Sequence, residues 1–268
     1  MRISRKRFFG VLATMWGLTR WQSASLGATA SAAEDSHPDP YEVLQEARKL
    51  ARAGKFEEAL QKHVWYHENA LKYGAGQYGV RLSFALSDWA ALGKQYPKAL
   101  QTLTEIRAKD VATLRAGRGD AHLYHDVVGI DRYLTGPPQG VELFKWLDAN
   151  DPKRAAECSI MAEDVLADAG EYRLCGKYLG DPLLRLDIMK QGREMERKLQ
   201  ERPLPNGRTA PRTADSRFIN TAVRIITILV RSDRKAEAER FRDEALKIVD
   251  APTIREAVEK AAEPAKAS

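Results

Sequence analysis

The phrase Gly54-Lys55-Phe56-Glu57-Glu58-Ala59-Leu60 constrains this chain more than any other. Glycine is the residue that most readily ends a helix in a left-handed turn. The aromatic two positions on fills a seam, and the alanine lets a neighbouring helix come close. Together they read as the corner of a helical hairpin. Looser echoes stand at Gly93–Leu100, Gly170–Leu179 and Ser232–Leu246.

Helical periodicity dominates around these corners. Val43, Leu44, Ala47, Leu50 and Ala51 share one face of a helix opened by Pro40. Further helices are predicted near Phe56–Tyr73, Val80–Leu92, Pro97–Asp110, Asp120–Leu134, Gln139–Asp148, Pro152–Asp168, Glu171–Leu179 and Leu183–Glu201. The breaks between them carry Gly136-Pro137-Pro138, Asp151-Pro152 and Asp181-Pro182. Residues 202–215 hold Pro203, Pro205, Gly207 and Pro211 and read as a loop. Helices over 216–262 follow, and 263–268 read as a disordered tail. No segment sustains a period of two with β-branched enrichment, so the expected fold class is all-α, with antiparallel hairpins stacked in series.

The overall charge of +6 suggests an anionic partner until the charges are located. Arg2, Arg5, Lys6, Arg7 and Arg20 fall within the first 30 residues, which contain no acid. Without them 38 basic residues face 37 acidic ones. A general phosphate-binding surface is therefore not expected. Residues 190–212 are locally basic, but Glu194, Glu196 and Glu201 interleave and aromatics are absent, which suits a solvated helix and loop better than a nucleic-acid site. The basic start, the short apolar stretch Phe8–Leu18 and the small residues Ala28-Thr29-Ala30 and Ala30-Ser31-Ala32 read as an export signal over 1–32. Residues 33–39 then form a disordered tether. Ser4-Arg5-Lys6-Arg7-Phe8-Phe9 resembles the twin-arginine export motif, with Lys6 where the second arginine is expected. The resemblance implies a periplasmic or extracellular location. No later segment is apolar enough to be a transmembrane helix. The two cysteines, Cys158 and Cys175, would sit about 9 Å out of step along antiparallel helices, so buried free thiols are expected rather than a disulfide.

The Gly-x-aromatic-x-x-Ala phrase resembles the start of the second helix in a tetratricopeptide repeat, whose unit is 34 residues long. Gly54, Phe56 and Ala59 match it, with Ala47 at the small first-helix position. Tyr96 and Ala99 match a second copy with Gly93 displaced by one, and Gly170 and Tyr172 a third, with Cys175 in place of alanine. The spacing is uneven: 40 residues from Ala59 to Ala99 and 34 from Gly136 to Gly170. The resemblance covers about residues 40–180 and, more weakly, 215–250. It implies a helical repeat domain over 40–201, with the first helix of each pair lining a groove that takes a peptide or protein partner. By position, Tyr41, Leu44 and Arg48 of the first unit and Arg81, Phe84 and Asp88 of the second would meet it. Arg48 and Arg81 could fork a carboxylate, or could be solvated or paired with nearby acids.

No nucleophile elbow, phosphate loop or paired Cys/His arrangement is present, so catalytic residues and cofactors are not expected. The histidines offer one alternative. His63 and His67 stand at i, i+4 and His122 and His125 at i, i+3, so each pair can share a helix face. Two such pairs could ligate zinc or copper, though Val64 stands where a metalloprotease would carry glutamate. The leading expectation is an exported, non-enzymatic helical-repeat adaptor; the alternative is a metal-binding protein or metal-dependent enzyme.

Overall fold

The computed structural model of the chain describes residues 38–74, 76–201 and 213–263. The expected export signal, most of the tether and of the 202–215 loop, and nearly all of the tail lie outside the described residues. Those described belong to one unit, Pro38–Ser268. It is helical throughout, and no strand occurs among the described residues.

Helix α1 (Pro40–Arg52) starts where the sequence says it should. Pro40 takes the first position, and the Asp39 carboxylate accepts the Tyr41 N–H at 2.8 Å. Glu42 in the first turn and Arg52 in the last complement the helix dipole. Gly54 adopts φ +75°, and the Lys55 N–H returns to the Leu50 carbonyl at 3.0 Å. This wrap closes α1 and starts α2 (Phe56–Asn69), packed against it with Ala47 and Ala59 fully buried. The same wrap recurs three times. Gly117 at φ +72° lets Arg118 N–H reach Thr113 O at 3.1 Å. Gly170 at φ +78° lets Glu171 N–H reach Leu166 O at 2.8 Å, and Asp233 at φ +63° lets Arg234 N–H reach Leu229 O at 2.8 Å. Asp233 accepts a conformation that costs a non-glycine residue roughly 1–2 kcal/mol.

The Gly93 echo is different. Gly93 is the last residue of α4 (Leu86–Gly93) and does not turn the chain. A Cβ there would lie 2.4 Å from Leu100 Cγ, so its role is close approach of α4 to α5 (Pro97–Arg115). The buried Trp89 indole donates to the Ala99 carbonyl at 2.9 Å and ties the two helices together. Before α4, a short 3₁₀ turn (Ala70–Tyr73) leads to α3 (Gln77–Val80), which continues through a π-helical turn (Arg81–Ala85). Helix α5, expected to end at Asp110 or slightly later, runs to Arg115 because Val111 and Leu114 are buried.

The chain continues as α6 (Ala121–Asp131), α7 (Gln139–Asn150), α8 (Pro152–Asp168), α9 (Tyr172–Tyr178) and α10 (Pro182–Gln200). Asp120, Asp151 and Asp181 cap α6, α8 and α10 through their side chains. Helix α11 (Ala214–Arg231) begins two residues earlier than the sequence suggests and is followed by α12 (Lys235–Ile248), α13 (Pro252–Arg255) and α14 (Ala257–Ala262). Helix α11 packs against α9, α10, α12, α13 and α14. Phe218, Ala222, Ile225, Ile226, Ile228 and Leu229 bury it, so it is the hub of the C-terminal half. Cys158 and Cys175 are buried and free; burial pushes their thiols up to about 11 and about 12. No described helix is long and apolar enough to cross a membrane.

Candidate functional site

The N-terminal half places the polar side chains in two layers. The outer layer is an open depression of about 530 Å³ between α1, α2 and α4, lined by Arg48, Arg52, His63, Asp88 and Gln95. Arg48 and Asp88 are forty residues apart in sequence, yet Arg48 Nε donates to Asp88 Oδ2 at 2.7 Å. Both are part-buried, at 30% side-chain exposure. The His63 ring forms the inner wall. It is stacked on Trp89 at 5.7 Å between centroids, and its Nδ1 is buried without a hydrogen-bond partner among the described residues. An orphaned buried ring nitrogen is costly unless something meets it. Desolvation pushes the His63 pKa down to about 4, with Asp88 opposing and Arg48 reinforcing.

The inner layer is an ionic knot around Arg81. The π-helical turn projects this side chain inward, where it is 6% exposed. Its guanidinium forks Asp126 of α6: Nη2 donates to Oδ2 at 2.7 Å, and Nη1 to Oδ1. Nε donates to the His67 carbonyl at 2.6 Å. Nη2 also lies 3.0 Å from His67 Nε2. An arginine can only donate, so His67 Nε2 accepts and the ring is neutral. Burial drives the same way, lowering His67 to about 4. Asp110 of α5 lies beside Asp126; burial first, then that carboxylate, raises it to about 6.

These placements revise the sequence reading residue by residue. Tyr41 and Phe84 are exposed, at 64% and 67%, and Arg48 and Asp88 meet in the depression. Leu44 and Arg81, expected on a groove, are buried. Leu44 belongs to the same apolar stripe as Val43 and Ala47. Arg81 is taken by Asp126, and a guanidinium committed to a buried carboxylate is not free to clamp another. The histidine pairs do share helix faces, but each is organised by its own aromatic ring. Trp89 holds His63 and His67, the latter edge-on at 6.1 Å. Tyr78 donates to or accepts from His125 Nδ1 at 2.7 Å and meets the His122 ring edge-on at 5.1 Å.

The metal question therefore shifts to another set. His67, Asp110 and Asp126 bring ligand atoms within 4.8 Å of one another. Arg81 already occupies the two Asp126 oxygens and His67 Nε2. A cation there would face a fixed positive charge and would have to displace it, so the donors do not fit a metal as arranged. Asp110 and Asp126 were legible only as polar residues on helices; their meeting with His67 depends on contacts across 43 and 59 residues.

No family model, curated protein or solved structure matches this chain.

Proposed function

We propose that the protein is an exported, non-enzymatic adaptor of the tetratricopeptide-like kind, its hairpins stacked in series, that binds a peptide or protein segment on the face of α1 and α4. The observation that carries this is the depression around Arg48 and Asp88. It is concave, it is bounded by the first helices of two successive hairpins, and it holds a buried nitrogen with no partner among the described residues. Arg48, Arg52 and Gln95 offer donors to a main chain or a carboxylate, and Asp88 offers an acceptor. Tyr41 of α1 and Phe84 of the π-helical turn before α4 add exposed apolar area. Recognition would be of shape and hydrogen bonding, supported by a rigid inner layer.

Crosslinking and mass spectrometry in the native envelope fraction test it. The chain with Arg48→Ala and Asp88→Ala is expected to lose the partners that the unaltered chain captures. Capture of the same partners by the double variant would refute the assignment, and finding the chain only in the cytoplasm would refute its export.

A further inference from the structure

Helix α10 carries a second, unrelated surface. Its inner face buries Pro182 and Leu186 against the α11–α12 layer. Its outer face presents Leu184, Ile188, Met195 and Leu199, which are 61%, 59%, 66% and 54% exposed. At 3.6 residues per turn these four fall within an arc of about 60° and run about 22 Å along the helix. Scattered apolar residues are ordinary on a protein surface, but a contiguous stripe of this kind marks an interface.

The spacing says what covers it. The gaps are four, seven and four residues, the same read in either direction. A twofold axis between Gln191 and Gly192 therefore lays Leu184 against the partner's Leu199 and Ile188 against the partner's Met195. Gly192, at the crossing point, has open space around it, so two helices can approach closely there. Asp187, Glu194 and Lys198 flank the stripe on one side, and none has an ion-pair partner among the described residues. In the antiparallel register each Asp187 comes within reach of the partner's Lys198, twice over by symmetry, with Glu194 facing the same flank. The other flank is committed within the chain: Arg185 bonds Glu163 at 3.0 Å and Glu196 accepts from Thr213 at 2.7 Å. A parallel pairing would set the free charges against that committed flank, and would align the helix dipoles unfavourably. We propose that α10 is a homodimerisation helix, pairing antiparallel with α10 of a second copy of this chain. An isologous contact of this kind closes as a dimer.

One helix per copy buries less than the roughly 800 Å² per partner of a standard interface, so the dimer should dissociate in the micromolar range. Sedimentation equilibrium of the purified full chain is expected to show a monomer–dimer equilibrium. Ile188→Glu should weaken it at least tenfold with the helical circular-dichroism signal unchanged. Asp187→Lys should weaken it severalfold, and Lys198→Asp added to it should restore association. Cysteine variants read the register. Gln191→Cys places the two thiols side by side at the axis and should form an intermolecular disulfide under mild oxidation. Leu184→Cys places them about 22 Å apart and should not. A chain that stays monomeric at 100 µM, a dimer indifferent to Ile188→Glu, or crosslinking through Leu184→Cys instead of Gln191→Cys would each overturn the proposal.

Discussion

Between α2 and α6 the interior holds Arg81, Asp126 and His67, whereas around α11 it holds Phe218, Ile225, Ile226, Ile228 and Leu229. Charged pairs stay at the margin of the second region, Glu163 with Arg185 and Arg224 of α11 with Asp164. The apolar hub is held by non-directional burial, which tolerates rearrangement as long as volume is kept. The ionic knot is directional: Arg81 donates to Asp126 and to the carbonyl and ring nitrogen of His67, and moving α6 or the π-helical turn breaks several bonds together. A protein pays for such a knot only in stability, since a well-packed apolar substitute is often as good or better. The knot joins α2, the π-helical turn and α6, and α4 continues directly from that turn.

The comparison breaks first if the knot is not costly to cut. Arg81→Met leaves Asp126 buried without its partner and is expected to lower stability by about 3–5 kcal/mol. Adding Asp126→Leu should recover most of that loss. Urea denaturation of the two variants checks it, and equal losses from the single and double variants would mean that the pair is not coupled. The hub answers differently. Leu229→Ala should cost about 2–5 kcal/mol through the cavity it leaves, with no second change that rescues it by charge removal.

Acidification distinguishes the halves next. His63 and His67 titrate near 4 in the fold and near 6.5 unfolded, so the unfolded chain binds more protons between those values. Stability is fully present above about pH 6.5 and is lost as pH falls toward 4, by roughly 3 kcal/mol for each ring. Asp110 works the other way. Its carboxyl titrates near 6 in the fold against an ordinary 3.8, so it favours the fold at the acid end of that range. Two histidines outweigh one aspartate, and a net loss on acidification is expected. Urea midpoints measured from pH 7 to pH 4 should fall, and His63→Phe should flatten the slope. The hub carries no histidine, so Leu229→Ala should leave the slope unchanged. The smallest effect belongs to the outer layer. Arg48 and Asp88 are partly solvated, so Arg48→Ala should cost less than about 1 kcal/mol while abolishing partner capture.

Local chemistry was legible wherever a single helix end decided it. Pro40, Pro152 and Pro182 open helices at their first position, each behind a capping aspartate. Gly54 and Gly170 turn the chain as their type requires. Gly93 misled because close approach and chain reversal both call for glycine, and only the neighbour, Leu100, tells them apart. The wrap after α11 was harder to read because an aspartate, Asp233, stands where glycine is usual. Arg81 read as a surface cation because arginine is seldom buried without a partner. Its partner lies 45 residues away, and nothing in the spacing links them.

The sequence by itself determined that the chain is helical, where most helices begin, and which alanines mark the first hairpin. Those properties depend on residues within a turn or two of one another, and short-range sterics and hydrogen bonding are enough to settle them. It also carried the palindromic stripe on α10, although exposure of that stripe had to be seen. The tertiary structure decided that Arg81 and Leu44 turn inward, that Arg48 and Asp88 meet, that α11 becomes the hub, and that His63 is left with an unsatisfied nitrogen. Each of these depends on which distant side chain fills the same low-dielectric space, and a charge or ring nitrogen changes its meaning entirely with the partner it finds there.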